Sequence, residues 1–105
     1  MRFEVYGKAD KSRWRLKASN GQTVASSGEA FGSAANATRA AKSFKKGAAK
    51  ATFEVYADRS GKYRWRAKSS NGQTVASSGE AFASKASAKR AADNVQAKAG
   101  QAADG

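Results

Sequence analysis

Asn20-Gly21-Gln22-Thr23-Val24-Ala25-Ser26-Ser27-Gly28-Glu29-Ala30-Phe31 recurs without a change as residues 71–82. An identical run at a fixed offset marks a tandem duplication. The match extends upstream. Arg13-Trp14-Arg15-Leu16-Lys17 corresponds to Arg64-Trp65-Arg66-Ala67-Lys68, and Phe3-Glu4-Val5-Tyr6 to Phe53-Glu54-Val55-Tyr56. The offset is 50 before the first loop and 51 after it, so the second copy carries one extra residue within positions 57–63. Insertions are tolerated at surface turns, so a turn is expected there. The two copies run over residues 3–46 and 53–98.

Within each copy the periods can be read. Phe3 and Val5 alternate with Glu4 and Tyr6, and Trp14 and Leu16 with Arg13, Arg15 and Lys17. Both patterns have the period of two expected of strands. Residues 22–27 make a third strand, entered through the hairpin signal Asn20-Gly21. A two-residue loop would set Val24 opposite Lys17. A three-residue loop, Ser19-Asn20-Gly21, pairs Ala18 with Gln22, Leu16 with Val24 and Trp14 with Ser26. Directly opposed residues share a face, so the longer loop keeps Val24 with the apolar set. It also puts Gly21 where a bulged turn needs a left-handed residue. Ser33 is placed to cap a helix, with Ala37, Ala40, Ala41 and Phe44 on one face and Gly47 at its end. In the second copy Ser84 caps, Ala88, Ala91, Ala92 and Val95 make the face, and Gly100 ends the helix.

The expected fold class is α+β: two tandem β-β-β-α repeats forming one pseudo-twofold compact domain, an antiparallel sheet packed by helices. The first repeat is assigned to residues 1–47, a linker to 48–52, the second repeat to 53–99 and a flexible tail to 100–105. A unit of about fifty residues lies near the lower limit of independent stability, so the two are expected to share one core. Its large members are Trp14, Trp65, Phe3, Phe53, Phe31, Phe82, Phe44 and Val95.

Composition narrows the chemistry. The chain of 105 residues has no Cys and no His. That removes disulfides, thiol chemistry, the usual base near neutral pH and the commonest transition-metal ligand. No cofactor or metal is expected. No apolar run approaches the ~20 residues of a membrane span, and Met1-Arg2 leads straight into a strand pattern, so no membrane partner and a cytoplasmic location are expected. Twenty Lys and Arg against eight Asp and Glu give a net charge of +12. Charge of this size attracts polyanions and also keeps a protein in solution.

The run Phe-Glu-Val-Tyr, then Arg-Trp-Arg-x-Lys, Asn-Gly-Gln-x-Val-Ala-x-Ser, an aromatic, a Ser and an alanine-rich helix resembles the YegP-like proteins. These are small bacterial and archaeal proteins of one or two such units. The resemblance covers nearly the whole chain. It implies an α+β fold with two units about a pseudo-twofold axis, single-unit members reaching the same arrangement by dimerising. It implies no activity. This chain departs from the family pattern in its strong basic charge.

Three constellations bear on function. Arg13, Arg15 and Lys17 share the sheet face opposite Trp14 and Leu16, and Arg64, Arg66 and Lys68 repeat them. The parity argument gives them Thr23, Ala25 and Ser27, or Thr74, Ala76 and Ser78, as small cross-strand neighbours, with Tyr6 and Tyr56 on the same side. Cations interleaved with aromatics on an open sheet suit phosphates and stacked bases. The plain alternative is a solvated face, with Glu4 and Glu54 neutralising part of it and Arg discouraging edge aggregation. The second constellation is a helix stripe, Arg39, Lys42 and Lys46, opposite the apolar helix face. Copy two breaks it, because Asp93 stands at the place of Lys42 and Lys89 can pair with it at i,i+4. Residues 1–50 carry +8 and residues 51–105 carry +4, so helix-mediated anion contact is expected to favour copy one. The third is Ser26-Ser27-Gly28-Glu29 and its twin. Glu29 and Glu80 would repel a phosphate, and a bulged connection explains the glycine without a ligand.

Catalysis is not expected. There is no Ser/His or Cys/His pair, no phosphate-cradling glycine motif, and the paired carboxylates have symmetry-related environments rather than the contrasting ones an acid and a base need. Two functions are left. One is a non-enzymatic binder of nucleic acid or another polyanion through Arg13, Arg15, Lys17, Arg64, Arg66 and Lys68, with Arg39, Lys42 and Lys46 as further contacts. The other is a module that binds itself or another protein, with no nucleic-acid role.

Overall fold

The computed structural model describes residues 1–102. Each copy opens with an antiparallel meander: β1 (Arg2–Tyr6), β2 (Arg13–Lys17) and β3 (Thr23–Ser26), then β4 (Thr52–Ala57), β5 (Tyr63–Lys68) and β6 (Thr74–Ser77). Each ends in a helix, α1 (Ala34–Gly47) and α2 (Lys85–Lys98). The six strands form one sheet in the order β1-β2-β3-β6-β5-β4. The copies meet at its centre, where Ser26 pairs with Ser77. That order reads the same from either end, as a pseudo-twofold axis through the β3–β6 seam requires.

The hairpin loop has the expected length, and one expectation of register does not hold. Ala18 N donates to Gln22 O at 2.9 Å, and Gly21 sits at φ +87 in the left-handed region. Lys17 faces Thr23 as anticipated, but Leu16 faces Ala25 and Arg15 faces Ser26. A bulge between Leu16 and Lys17 absorbs Val24 as the extra residue. Val24 is therefore half-buried, and Ala25, not Val24, lies fully buried under Leu16. Copy two repeats the bulge at Ala67/Lys68, with Arg66 facing Ser77 and Ala67 facing Ala76. A loop-length argument assumes an unbroken ladder beyond the turn, and the bulge breaks it.

Ser33 and Ser84 cap the helices, their hydroxyls accepting from Asn36 N and Ser87 N at 3.1 Å each. Gly47 is the last α-helical residue, yet its φ of −98 is no left-handed cap, and the chain continues as a 3-10 turn over Ala48–Lys50. The segment expected as a linker is thus packed, with Ala48 fully buried. Gln96 Nε2 reaches the carbonyls of Ala48, Ala49 and Ala51 at 3.0–3.2 Å, tying α2 to the connection between repeats. Gly100, expected to end α2, lies in a second 3-10 turn, Ala99–Gln101, after α2 has ended at Lys98. Ala99 and Ala102 are buried against the core. Residues 103–105 lie outside the described residues.

Both helices pack on the Trp side of the sheet. Phe3, Trp14, Phe44, Trp65 and Val95 are buried as expected, whereas Phe31, Phe53 and Phe82 are half-buried at the margin. The helix faces Ala37, Ala41, Phe44 and Ala88, Ala92, Val95 are buried, with Ala40 and Ala91 half-buried beside them. A chain of rings joins the two copies. Trp14 stacks on Phe44 at 5.3 Å, Phe44 meets Phe53 at 6.4 Å, and Phe53 meets Trp65 at 5.3 Å. In a flat sheet four inter-strand steps would set β2 and β4 about 19 Å apart. A single Phe44 ring bridges them because the sheet coils toward the helices. Its outer face is correspondingly convex.

Two substitutions check this packing. Trp65→Ala removes the largest second-copy side chain from the core and is expected to cost about 3–5 kcal/mol, the range for large aromatic truncations. An unchanged thermal midpoint would mean that the ring chain does not hold the fold. Gly47→Ala is expected to stabilise by about 0.4–1 kcal/mol, because φ is negative and a Cβ there meets nothing within 4 Å.

Candidate nucleic-acid interface on the open sheet face

Alternation sends the polar half of every strand outward. Glu4 faces Arg15, Arg15 faces Ser26, and Ser26 faces Ser77, which continues to Arg66 and Glu54. A single row thus reads Glu-Arg-Ser-Ser-Arg-Glu across the whole sheet. Beside it Arg2 faces Lys17, which faces Thr23, and Thr52 faces Lys68, which faces Thr74. On the other side Tyr6 faces Arg13 and Tyr56 faces Arg64. The six expected sheet cations therefore lie on one face, in two banks separated by a central strip of Ser and Thr. The small neighbours are Thr23 and Ser26, and Thr74 and Ser77. Ala25 and Ser27, with their counterparts Ala76 and Ser78, were expected there, but the bulge turns all four inward and they are buried.

The cations are not bare. Arg15 Nε donates to Glu4 Oε1 at 2.6 Å, a second guanidinium nitrogen joins the same carboxylate, and Lys17 Nζ lies 3.7 Å from it. Arg66 and Lys68 hold Glu54 in the same way at 2.9 and 3.6 Å. The Arg15 guanidinium lies 4.4 Å from the ring centre of Tyr6, and that of Arg66 lies 4.8 Å from Tyr56. Each arginine is thus fixed between a carboxylate and an aromatic face. The hydrogen bond from Arg15 leads the effects that hold the Glu4 carboxyl below its usual range, and the bond from Arg66 does so for Glu54.

The banks differ at one point. Arg64 donates to Asp58 Oδ2 at 3.1 Å, in the loop that carries the extra residue. Asp58 Oδ1 also accepts from Ser60 Oγ and N and from Lys62 N, closing the loop as an Asx turn. The Ser60 hydroxyl leads the contacts that bring the Asp58 pKa down to about 2. Lys8 occupies the corresponding place in copy one. Bank one therefore carries four cations (Arg2, Arg13, Arg15, Lys17) against one carboxylate, and bank two carries three against two. The net values are +3 and +1, the same lopsidedness as the whole chain.

Arg39, Lys42 and Lys46 do not join this surface. They are exposed on the outer side of α1, across the sheet from the banks. In α2 the pairing of Lys89 with Asp93 is present at 3.3 Å. On the helical side a cleft of about 490 Å3 lies between Ser43, Phe44 and Gly47 of α1 and the β5–β6 hairpin. At the corresponding place in copy two, where Asn94 stands in the position of Ser43, the space beside Val24, Phe82 and Ala91 is about 80 Å3, and a further cleft of about 380 Å3 runs along α2 past Ser87 and Arg90. Among the described residues no helix is long and apolar enough to cross a membrane, and no group of three or more His, Cys, Asp or Glu could hold a metal ion.

Fold and face define a class: a small basic α+β protein of two repeats on one shared sheet. The sequence pattern of a domain of unknown function, DUF1508, matches residues 8–54 and 58–103. The chain belongs to that family. The family's repeat is phased to begin just ahead of β2 and β5. A UPF0339 protein of Agrobacterium fabrum is 48% identical over 44 residues, 42% of this chain and 69% of that protein. The solution structure of yegP of E. coli, described as a protein of unknown function, superposes with a TM-score of 0.78 at 26% identity, over 97% of this chain and 88% of that one. A UPF0339 protein of Shewanella oneidensis has a TM-score of 0.80 at 18% identity, over 97% and 86% of the two chains. The resemblance to YegP-like proteins is thereby supported, and the family is one of unknown function.

The Asp58 loop gives a pH prediction. Its carboxyl titrates lower in the folded protein than its ordinary value of 3.8, so its contribution is fully present above that value and is lost as pH falls toward about 2. Asp58→Ala is expected to lower the thermal midpoint at neutral pH, and the gap to the unmodified protein should close between pH 4 and pH 2. A gap that persists at the acid end would place the effect elsewhere than in the ionised carboxylate.

Proposed function

We propose that this protein is a non-enzymatic binder of polyanions, nucleic acid first among them, and that it binds them with the open sheet face. The observation that supports this is the placement of seven cations on one uncovered face, in two pre-organised banks. Fixing Arg15 and Arg66 between Glu and Tyr lowers the conformational cost of presenting them. Phosphate contacts of this kind position a protein without reading sequence, so the expected affinity is modest and weakly selective. Arg39, Lys42 and Lys46 add to the long-range field that draws polyanions in, and they face away from the contact.

A second reading, self-association, is favoured by β1 and β4, each of which has a neighbour on one side only. Edge pairing with another copy is a familiar use of such strands. The net charge of +12 opposes it.

Binding of labelled oligonucleotides across a salt series separates the two. On duplex, the polyanion reading predicts binding near physiological salt, with log affinity falling at about −0.9 per phosphate neutralised. Arg13→Glu is expected to weaken binding more than Arg64→Glu, because Arg64 is already compensated by Asp58. Glu4→Gln, which removes the carboxylate from bank one, is expected to tighten it. Binding seen only at very low salt, together with a concentration-dependent dimer in sedimentation, would favour the second reading.

A further inference from the structure

We infer, resting on the polyanion reading of the open face, that the partner is duplex DNA seated with its major groove over the crest formed by β3 and β6. These are the two central strands of a face that is convex, so they stand furthest out. They are antiparallel, related by the pseudo-twofold axis and joined at Ser26 and Ser77, whose hydroxyls lie 3.4 Å apart. Beside the outward cations of β2 and β5 they place Thr23, Ser26, Thr74 and Ser77, small residues that line the crest with hydroxyls.

The spacing of the banks fits this ligand. Arg15 and Arg66 are separated by three inter-strand steps, about 14 Å measured along the sheet, and Glu4 and Glu54 draw their guanidinium groups toward the outer strands. The major groove of B-form DNA is about 12 Å wide and admits a two-stranded ribbon. With the β3–β6 ribbon in the groove, the two banks meet the phosphates on its two walls. Serine and threonine hydroxyls pair with either base type, so the crest would read shape more than sequence.

The same geometry disfavours other nucleic acids. Sequence-tolerant binding of single strands relies on aromatic platforms for stacked bases. Each tyrosine of this face, Tyr6 and Tyr56, instead has a guanidinium over one side of its ring, which closes that side to a stacked base. The major groove of duplex RNA is deep and narrow, closed to side chains, and would not take the crest.

The test compares a labelled short duplex DNA, one of its strands alone and the matching duplex RNA near physiological salt, with Arg15→Glu and Arg66→Glu checked for folding by circular dichroism. The expected result is tightest binding to duplex DNA and displacement by a major-groove dye such as methyl green but not by a minor-groove ligand. Each arginine variant should lose affinity, since both walls are engaged. Equal or tighter binding of the single strand or the RNA overturns the crest, as does displacement only by the minor-groove ligand, or one arginine variant binding as the unmodified protein does. In those cases the broader polyanion reading stands. No binding to any of the three overturns both.

Discussion

The contact between Phe44 and Phe53 is the one on which the rest of the molecule depends. Phe44 comes from the helix of the first repeat and Phe53 from the first strand of the second, and they are the middle links of the chain from Trp14 to Trp65. Phe44 packs on Trp14 of its own repeat and Phe53 on Trp65 of its own, so the contact between the two rings joins the two cores into one. A unit of about fifty residues with so few large apolar side chains would bury too little surface to offset its chain entropy. Sharing the rings solves this, and it imposes a geometry. The sheet must coil until β2 and β4 come within reach of one phenylalanine. The β3–β6 seam, with its single Ser26–Ser77 pair, lies at the middle of that coil.

The convexity of the outer face follows from the same packing. Cations that would form a flat lawn on an open sheet are split into two banks by a crest of small residues. Their compensation by Glu4 and Glu54 is built into the register, since each glutamate lies directly opposite an arginine. These pairs are partly exposed, and exposed ion pairs add little stability. Their consequence is positional: Arg15 and Arg66 are held at fixed places with part of their charge cancelled. The surface is thereby less positive than the sequence total suggests and better ordered.

The copies have diverged where the structure leaves them room. The identical block forms the inner hairpins on either side of the seam. Even there, identical sequence does not give identical backbone. Gly28 adopts φ +73, whereas Gly79 does not enter the left-handed region and packs so close to Thr23 that a Cβ would lie 2.8 Å from its methyl carbon. The helices differ more, with Ser43 and Gly47 in one and Asn94 and Lys98 in the other, and the clefts beside them differ in size and lining. Asp58 gives the second bank a further carboxylate, paired with Arg64.

The duplication, the strand and helix periods, both serine caps and the outward set Arg13, Arg15, Lys17, Arg64, Arg66 and Lys68 were legible in the chain. Each depends on local repetition, and side-chain alternation places neighbours on opposite faces whatever the strand pairs with. The bulge at Leu16 and Lys17 was not legible. Val24 does pack against the core, as a half-buried residue, but the bulge gives the fully buried place opposite Leu16 to Ala25. Nor could the sequence show that Phe31, Phe53 and Phe82 stop at the margin of the core. The burial of Ala48 and Ala102 was hidden as well, since it arises from packing between the two repeats. One shared sheet rather than two, and a convex rather than a flat charged face, were likewise decided by tertiary structure. Period and composition report what each residue prefers to face, and the distance between two such residues from different repeats is fixed only when their rings compete for one core.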